Sequence, residues 1–150
     1  MNKSIESVLA EGGVYVSVVV GRSMEPMLRE REDTVAVVPI KGRLKKYDVA
    51  LFRDGEKYVL HRVVKVLPDS YVFCGDNCVT CEKNITDKDV LGILDKVWKG
   101  KRGEKEMKLE GFGYLLYSRY KVFELWPRKI FRKLKIALSW RLKKIFRKKK

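Results

Sequence analysis

Ser23 stands in Gly21-Arg22-Ser23-Met24-Glu25-Pro26-Met27-Leu28, directly after a β-branched run from Val14 to Val20. A serine at a strand end, followed by a proline-shaped turn, presents its hydroxyl from a sharp corner instead of losing it in a ladder. If the next residues start a helical turn, backbone N–H groups at Ser23 and its neighbours point to where an oxyanion would form. Serine alone is a weak nucleophile and needs a base within hydrogen-bond reach. The one histidine is His61, in Tyr58-Val59-Leu60-His61-Arg62-Val63-Val64. Strand alternation puts it on the face of Val59 and Val63, opposite Leu60 and Val64. Ser23 and His61 are candidates for nucleophile and base in acyl transfer. A lone histidine on such a strand also serves simply as a packed or surface residue.

The elements that must position them are mainly strands. Ser4 to Ala10 reads as a short helix, capped by Ser4 or Asn2 and stopped at Gly12-Gly13. Strands are expected over Val14 to Val20, Thr34 to Val38, Val49 to Phe52, Lys57 to Val66, Tyr71 to Cys74 and Val90 to Trp98. Turn formers separate them, and Asp54-Gly55 signals a hairpin. Residues 14 to 98 leave no room for crossover helices, so the β domain is expected to be compact and antiparallel. Gly100 to Glu106 reads as a charged boundary, Phe112 to Trp126 as an aromatic-rich helix, and Pro127 as the start of a tail. The expected division is therefore 1–105 for the domain proper, 106–124 for a helical connector and 125–150 for a basic tail.

A length of 150 residues suits one core, and 45% hydrophobic with 35% charged residues marks a globular chain. The net charge of +15 is concentrated at one end. From Leu125 to Lys150 there are 12 Lys/Arg and no Asp or Glu, against 22 basic and 19 acidic residues before them. At 100° per residue, Ile130, Phe131, Leu134, Ala137, Leu138, Leu142, Ile145 and Phe146 share one broad face. Most of Lys129, Arg132, Lys133, Lys143, Lys144 and Arg147 lie opposite, with Ile136 and Trp140 interrupting them. A basic amphipathic helix of this kind suits an anionic membrane surface. Nucleic acid is the less favoured partner, because no helix-turn-helix precedes the β domain. No apolar run reaches the roughly 20 residues of a membrane span, and the first residues lack a signal-peptide layout. A cytoplasmic or peripheral location, on the membrane's cytoplasmic face, is the expectation. Cys74-x3-Cys78-x2-Cys81 has the spacing of a [4Fe–4S] site, but the barrel that uses it needs a longer chain. Free thiols are the default, with zinc or a regulatory disulfide as alternatives; no metal or cofactor is expected.

These segments together resemble the serine peptidases of the signal-peptidase and LexA clan. Gly21, Ser23, Met24, Pro26 and Leu28 match the nucleophile box; Tyr47-Asp48-Val49 matches a second box, usually Gly-Asp-Val. His61-Arg62-Val63-Val64 matches the general-base box, Gly75-Asp76-Asn77 a later one, and Val90-Leu91-Gly92 the closing strand. The resemblance implies a mainly β, LexA/signal-peptidase-like antiparallel domain, with a short N-terminal helix and a C-terminal helical basic tail. It implies a serine endopeptidase acting on an extended leader or signal-like peptide, with Ser23 as nucleophile and His61 as general base. Other branches place lysine where this chain has His61; a lysine base needs a pocket that strips its proton, whereas imidazole titrates near neutrality. In the histidine-using branch an acidic residue assists, and Asp76 fits by motif. Glu82 stands where that branch usually has another aspartate. Arg29 to Asp33 replaces a shorter Gly-Asp segment, and only Asp33 is recognisable there. Two alternatives remain: a non-catalytic peptide-binding or membrane-surface adaptor, or a self-cleaving regulator using Ala10-Glu11-Gly12-Gly13.

Overall fold

The computed structural model describes residues 4–103 and 105–147, with side chains as far as residue 139. Helix α1 (Ile5–Ala10) is followed by β1 (Tyr15–Val18), β2 (Thr34–Val38), β3 (Val49–Asp54), β4 (Lys57–Val66) and β5 (Tyr71–Cys74). Then come β6 (Glu82–Ile85), β7 (Val90–Lys99), β8 (Lys105–Met107) and helix α2 (Phe112–Arg147). One antiparallel sheet runs β1-β2-β7-β3-β4-β5-β6, curled into a half-barrel. The expected class, mainly antiparallel β with a helix at each end, is what the chain adopts.

Local chemistry explains most boundaries. The Ser4 hydroxyl accepts from the Ser7 N–H at 3.1 Å and caps α1. Asp54 pairs with Lys57 across a tight turn whose Gly55 has φ 62°, a conformation glycine adopts without a Cβ penalty. β6 and β8 carry no β-branched run and were not expected. Both are short strands that complete edges left open by β5 and β7. Gly100 to Gly103 form a turn after β7, and β8 pairs back onto β7.

The sheet is covered on both faces, and β3 shows why. Ala50 and Phe52 enter one core with Val63, Tyr71, Phe73 and Val90. Val49 enters another with Met24, Leu28, Val35 and Val97. Leu51 packs with Leu9 of α1 and Val37. Alternate residues therefore point to opposite covered faces.

Helix α2 belongs to the second face. Tyr114 and Tyr117 pack against the core of Leu28 and Val97, and Ser118 is fully buried. The helix passes through Pro127, so connector and tail form one rod of 36 residues, about 54 Å long. Proline removes only one N–H from the ladder, and Arg128, Lys129 and Arg132 then fasten the next turns to residues 76–81. The expected faces beyond Ser139 lie outside the described side chains, and Lys148 to Lys150 lie outside the described residues. Among the described residues, no helix is long and apolar enough to cross a membrane.

Candidate active site

The chain leaves β1 through Gly21, at φ 87°, and enters the turn that carries Ser23. Met24, Met27 and Leu28 are 2, 4 and 0% exposed and plug that turn into the core. Glu30 accepts from the Gly21 N–H and from Arg22 Nε, each at 3.2 Å. Behind the turn, Asp33 accepts from the Arg29 N–H (2.8 Å), Lys99 Nζ (2.7 Å) and the Gly100 N–H (3.1 Å). Burial opposes ionisation of Asp33, but these donors outweigh it and hold its carboxyl below the ordinary range. Asp33 is thus a clamp on the turn that carries Ser23. From the other side the Asn77 N–H donates to the Ser23 carbonyl at 2.8 Å, and Asn77 Nδ2 donates to the Arg22 carbonyl at 3.2 Å. The Ser23 backbone is held at both ends while its side chain stays partly exposed.

His61 is 5% exposed and lies edge-on to Phe52. Its Nδ1 is 2.9 Å from Glu82 Oε2. Burial would raise the Glu82 carboxyl, but the bond to His61 and the proximity of its ring lower it overall. A depressed folded-state pKa means that this pairing contributes stability above the unfolded carboxyl value, about 4.3. That contribution disappears as pH falls through the lower folded value. Nε2, the other ring nitrogen, faces Gly75. A Cβ added there would lie 2.9 Å from Nε2 and 2.5 Å from the Ser23 carbonyl oxygen. Glycine is therefore what allows His61 and the Ser23 turn to close on one point. Ser23, His61 and Glu82 line one cleft of about 410 Å³, floored by Val19, Leu51 and Leu60 and walled by β1. The Ser23 hydroxyl makes no hydrogen bond among the described residues.

Asp76, the acidic partner expected for His61, is placed elsewhere. It forms a two-pronged ion pair with Arg62, 2.7 Å to Nε and 2.8 Å to Nη2, with both side chains 1% exposed. Tyr117 donates to the same carboxylate at 3.0 Å, and Arg62 also donates to Ser118 Oγ at 2.8 Å and the Tyr47 carbonyl at 3.1 Å. Strand geometry explains the exchange of roles. His61 and Arg62 are consecutive on β4 and so point to opposite faces. Val63 pairs with Phe73, and Phe73 with Glu82, which sets Glu82 on the His61 face two strands away. Arg62 faces α2, and Asp76 meets it there. The position of Glu82 depends on β6, a strand too polar to be read from residue types.

The remaining segments are structural. Tyr47 has φ 83°, and its N–H donates to the Val63 carbonyl at 2.8 Å. Asp48 accepts from the Lys45 N–H at 2.7 Å and shapes that turn. Cys74, Cys78 and Cys81 are all free thiols. Among the described residues, no three His, Cys, Asp or Glu side chains converge as a metal site.

Comparison with known protein families, curated proteins and solved structures finds no match.

Proposed function

We propose that the protein is a serine endopeptidase of signal-peptidase type, built on a fold of the LexA and signal-peptidase kind. The observation that carries this reading is the placement of His61, bonded through Nδ1 to a carboxylate, with Nε2 and the Ser23 carbonyl both crowding the space that a side chain at residue 75 would fill. Glu82 holds the imidazole with its proton on Nδ1, leaving Nε2 as the base. Ser23 Oγ attacks the scissile carbonyl and its proton passes to His61 Nε2. Glu82 stabilises the imidazolium, as the acidic member of a triad does. The Ser23 N–H, which has no acceptor among the described residues, is the candidate donor to the oxyanion. His61 then returns the proton to the leaving amine, and water releases the acyl group by the same route. In unliganded sites such bonds are often long and tighten with substrate.

An extended peptide fits the entrance. β1 is an edge strand paired on one side only, to β2, and its free side offers backbone groups for strand addition. The direct test is incubation of the native protein with extended peptides rich in small residues, followed by mass spectrometry. Cleavage at one defined bond is expected. Binding without cleavage would favour an adaptor, and a chain shortened near Ala10 to Gly13 would favour a self-cleaving regulator.

A second component is attachment to an anionic membrane surface. The inner side of α2 is polar: Tyr117, Ser118, Arg128, Lys129 and Arg132 all bond to the domain. Phe112, Leu116, Phe123, Trp126, Ile130 and Leu134 form a single stripe on the other side, and Phe123 and Trp126 are 71 and 69% exposed. A helix that packs only on a core turns its apolar face inward; α2 turns one outward. The basic residues from Leu125 onward, apart from Arg128, Lys129 and Arg132, supply charge complementarity to anionic lipid. Intact protein is expected to sediment with anionic vesicles, to be partly released by high salt, and to ignore neutral vesicles. The triple variant Phe123→Ser, Trp126→Ser, Leu134→Ser should lose most of that binding. Equal sedimentation of both proteins would contradict the membrane role.

A further inference from the structure

The three thiols lie beside the site but take no part in the proposed reaction. Cys74 ends β5 and Cys81 precedes β6. The last paired step is Phe73 with Glu82, and continuing that register by one residue sets Cys74 against Cys81. Opposed residues of an antiparallel pair have Cα atoms about 4.5–5.5 Å apart, within the roughly 4.4–6.8 Å range of a disulfide. The Cys74 S–H donates to the Thr80 carbonyl at 3.3 Å, one residue before Cys81. Cys74 is 1% exposed, whereas Cys81 is only half-buried. Lys129 of α2 brings its Nζ to 3.1 Å from Cys81 Sγ. The neighbouring Cys74 thiol and the Lys129 ammonium bring the Cys81 thiol down to about 6, while Cys74 is pushed up by its proximity to Cys81 and by burial. An accessible thiolate therefore faces a buried, protonated thiol. That is the arrangement of an attacked and a resolving cysteine.

We propose that Cys74 and Cys81 form a peroxide-sensitive dithiol whose oxidation to a cross-strand disulfide lowers the activity of the neighbouring site. The Cys81 thiolate attacks one oxygen of hydrogen peroxide and becomes a sulfenic acid, releasing hydroxide. The Cys74 sulfur, losing its proton, then displaces hydroxide from that sulfenic acid, and the S–S bond forms. One peroxide is reduced to two waters as two thiols are oxidised. The link to the site is the peptide bond between Cys81 and Glu82. Closing the disulfide moves residue 81 towards β5 and removes the anion that Lys129 holds, so the Glu82 carboxylate shifts relative to His61. This regulatory step rests on the proteolytic reading of Glu82; the dithiol chemistry does not.

Treatment of the full-length reduced protein with graded hydrogen peroxide tests both parts. Intact mass is expected to fall by two hydrogens, non-reducing peptide mapping to show a Cys74–Cys81 link, and dithiothreitol to reverse both. Cys78→Ser should behave like the native chain. Cys81→Ser should form no cross-link and keep its peptide cleavage under peroxide, whereas native cleavage should fall about tenfold or more and recover on reduction. Cys81 passing to sulfinic acid without a link, or a link through Cys78, would overturn the dithiol. A correct link with unchanged cleavage would overturn its control of the site. A correct link in a protein that cleaves no peptide even when reduced would count against the peptidase reading and leave the dithiol standing.

Discussion

Ser23→Ala is expected to lower peptide cleavage by at least about 1,000-fold while leaving the melting temperature almost unchanged. The two outcomes separate because the hydroxyl and the backbone of residue 23 have different duties. The hydroxyl makes no hydrogen bond among the described residues, so its removal orphans no partner. The carbonyl, which accepts from the Asn77 N–H, is retained in alanine, and the plug of Met24, Met27 and Leu28 is untouched. Chromatographic assay of cleavage with thermal unfolding of the same samples checks both halves. A well-folded Ser23→Ala protein with native activity would contradict the nucleophile assignment.

The two carboxylates near β4 are expected to fail in opposite ways. Asp76→Ala leaves Arg62 charged, desolvated and without its main acceptor. Burial alone would weaken that charge, but Asp76 raises the guanidinium further, so it stays ionised. Breaking a buried pair by removing one partner costs about 3–5 kcal/mol. For a domain of this size that is a fall of roughly 10 °C in melting temperature. Tyr117 and Ser118 would loosen with it, detaching the start of α2. Glu82→Gln should scarcely alter the melting temperature, because the site is partly exposed and the amide can still bond to His61. An amide donating its N–H to Nδ1 leaves the imidazole proton on Nε2, the wrong tautomer, and cleavage should then fall by on the order of 1,000- to 10,000-fold. If Asp76→Ala were stable and inactive while Glu82→Gln cleaved normally, Asp76 would be the functional acid after all.

That exchange also marks how far the amino-acid sequence could be read. Thr34–Val38, Lys57–Val66 and Tyr71–Cys74 are strands at the expected bounds because β-branched density and flanking turn residues agree there. The places of Ser23 and His61 in the fold could be read for the same reason, since both are attached to strongly marked strands. Glu82 could be named as a candidate but not ranked above Asp76. Its position is set by β6, whose Glu-Lys-Asn-Ile sequence has no strand pattern and is a strand only because β5 offers an edge. Arg62 looked like one member of a box, yet burial among Tyr114, Tyr117 and Ser118 makes it the true partner of Asp76. Those contacts span more than fifty positions of chain and leave no local trace. Pro127 misled in the other direction: a proline that commonly ends a helix is carried through here by basic side chains fastened to the segment from Asp76 to Cys81.

The central claim is that His61 activates Ser23. Stoichiometric reaction of the native protein with a serine-reactive phosphonate, read by intact mass and peptide mapping, tests it most directly. The account predicts one added group, located on Ser23 and lost in His61→Ala although that variant remains folded. No labelling of the native protein, or labelling at Ser23 that persists unchanged in His61→Ala, would contradict it.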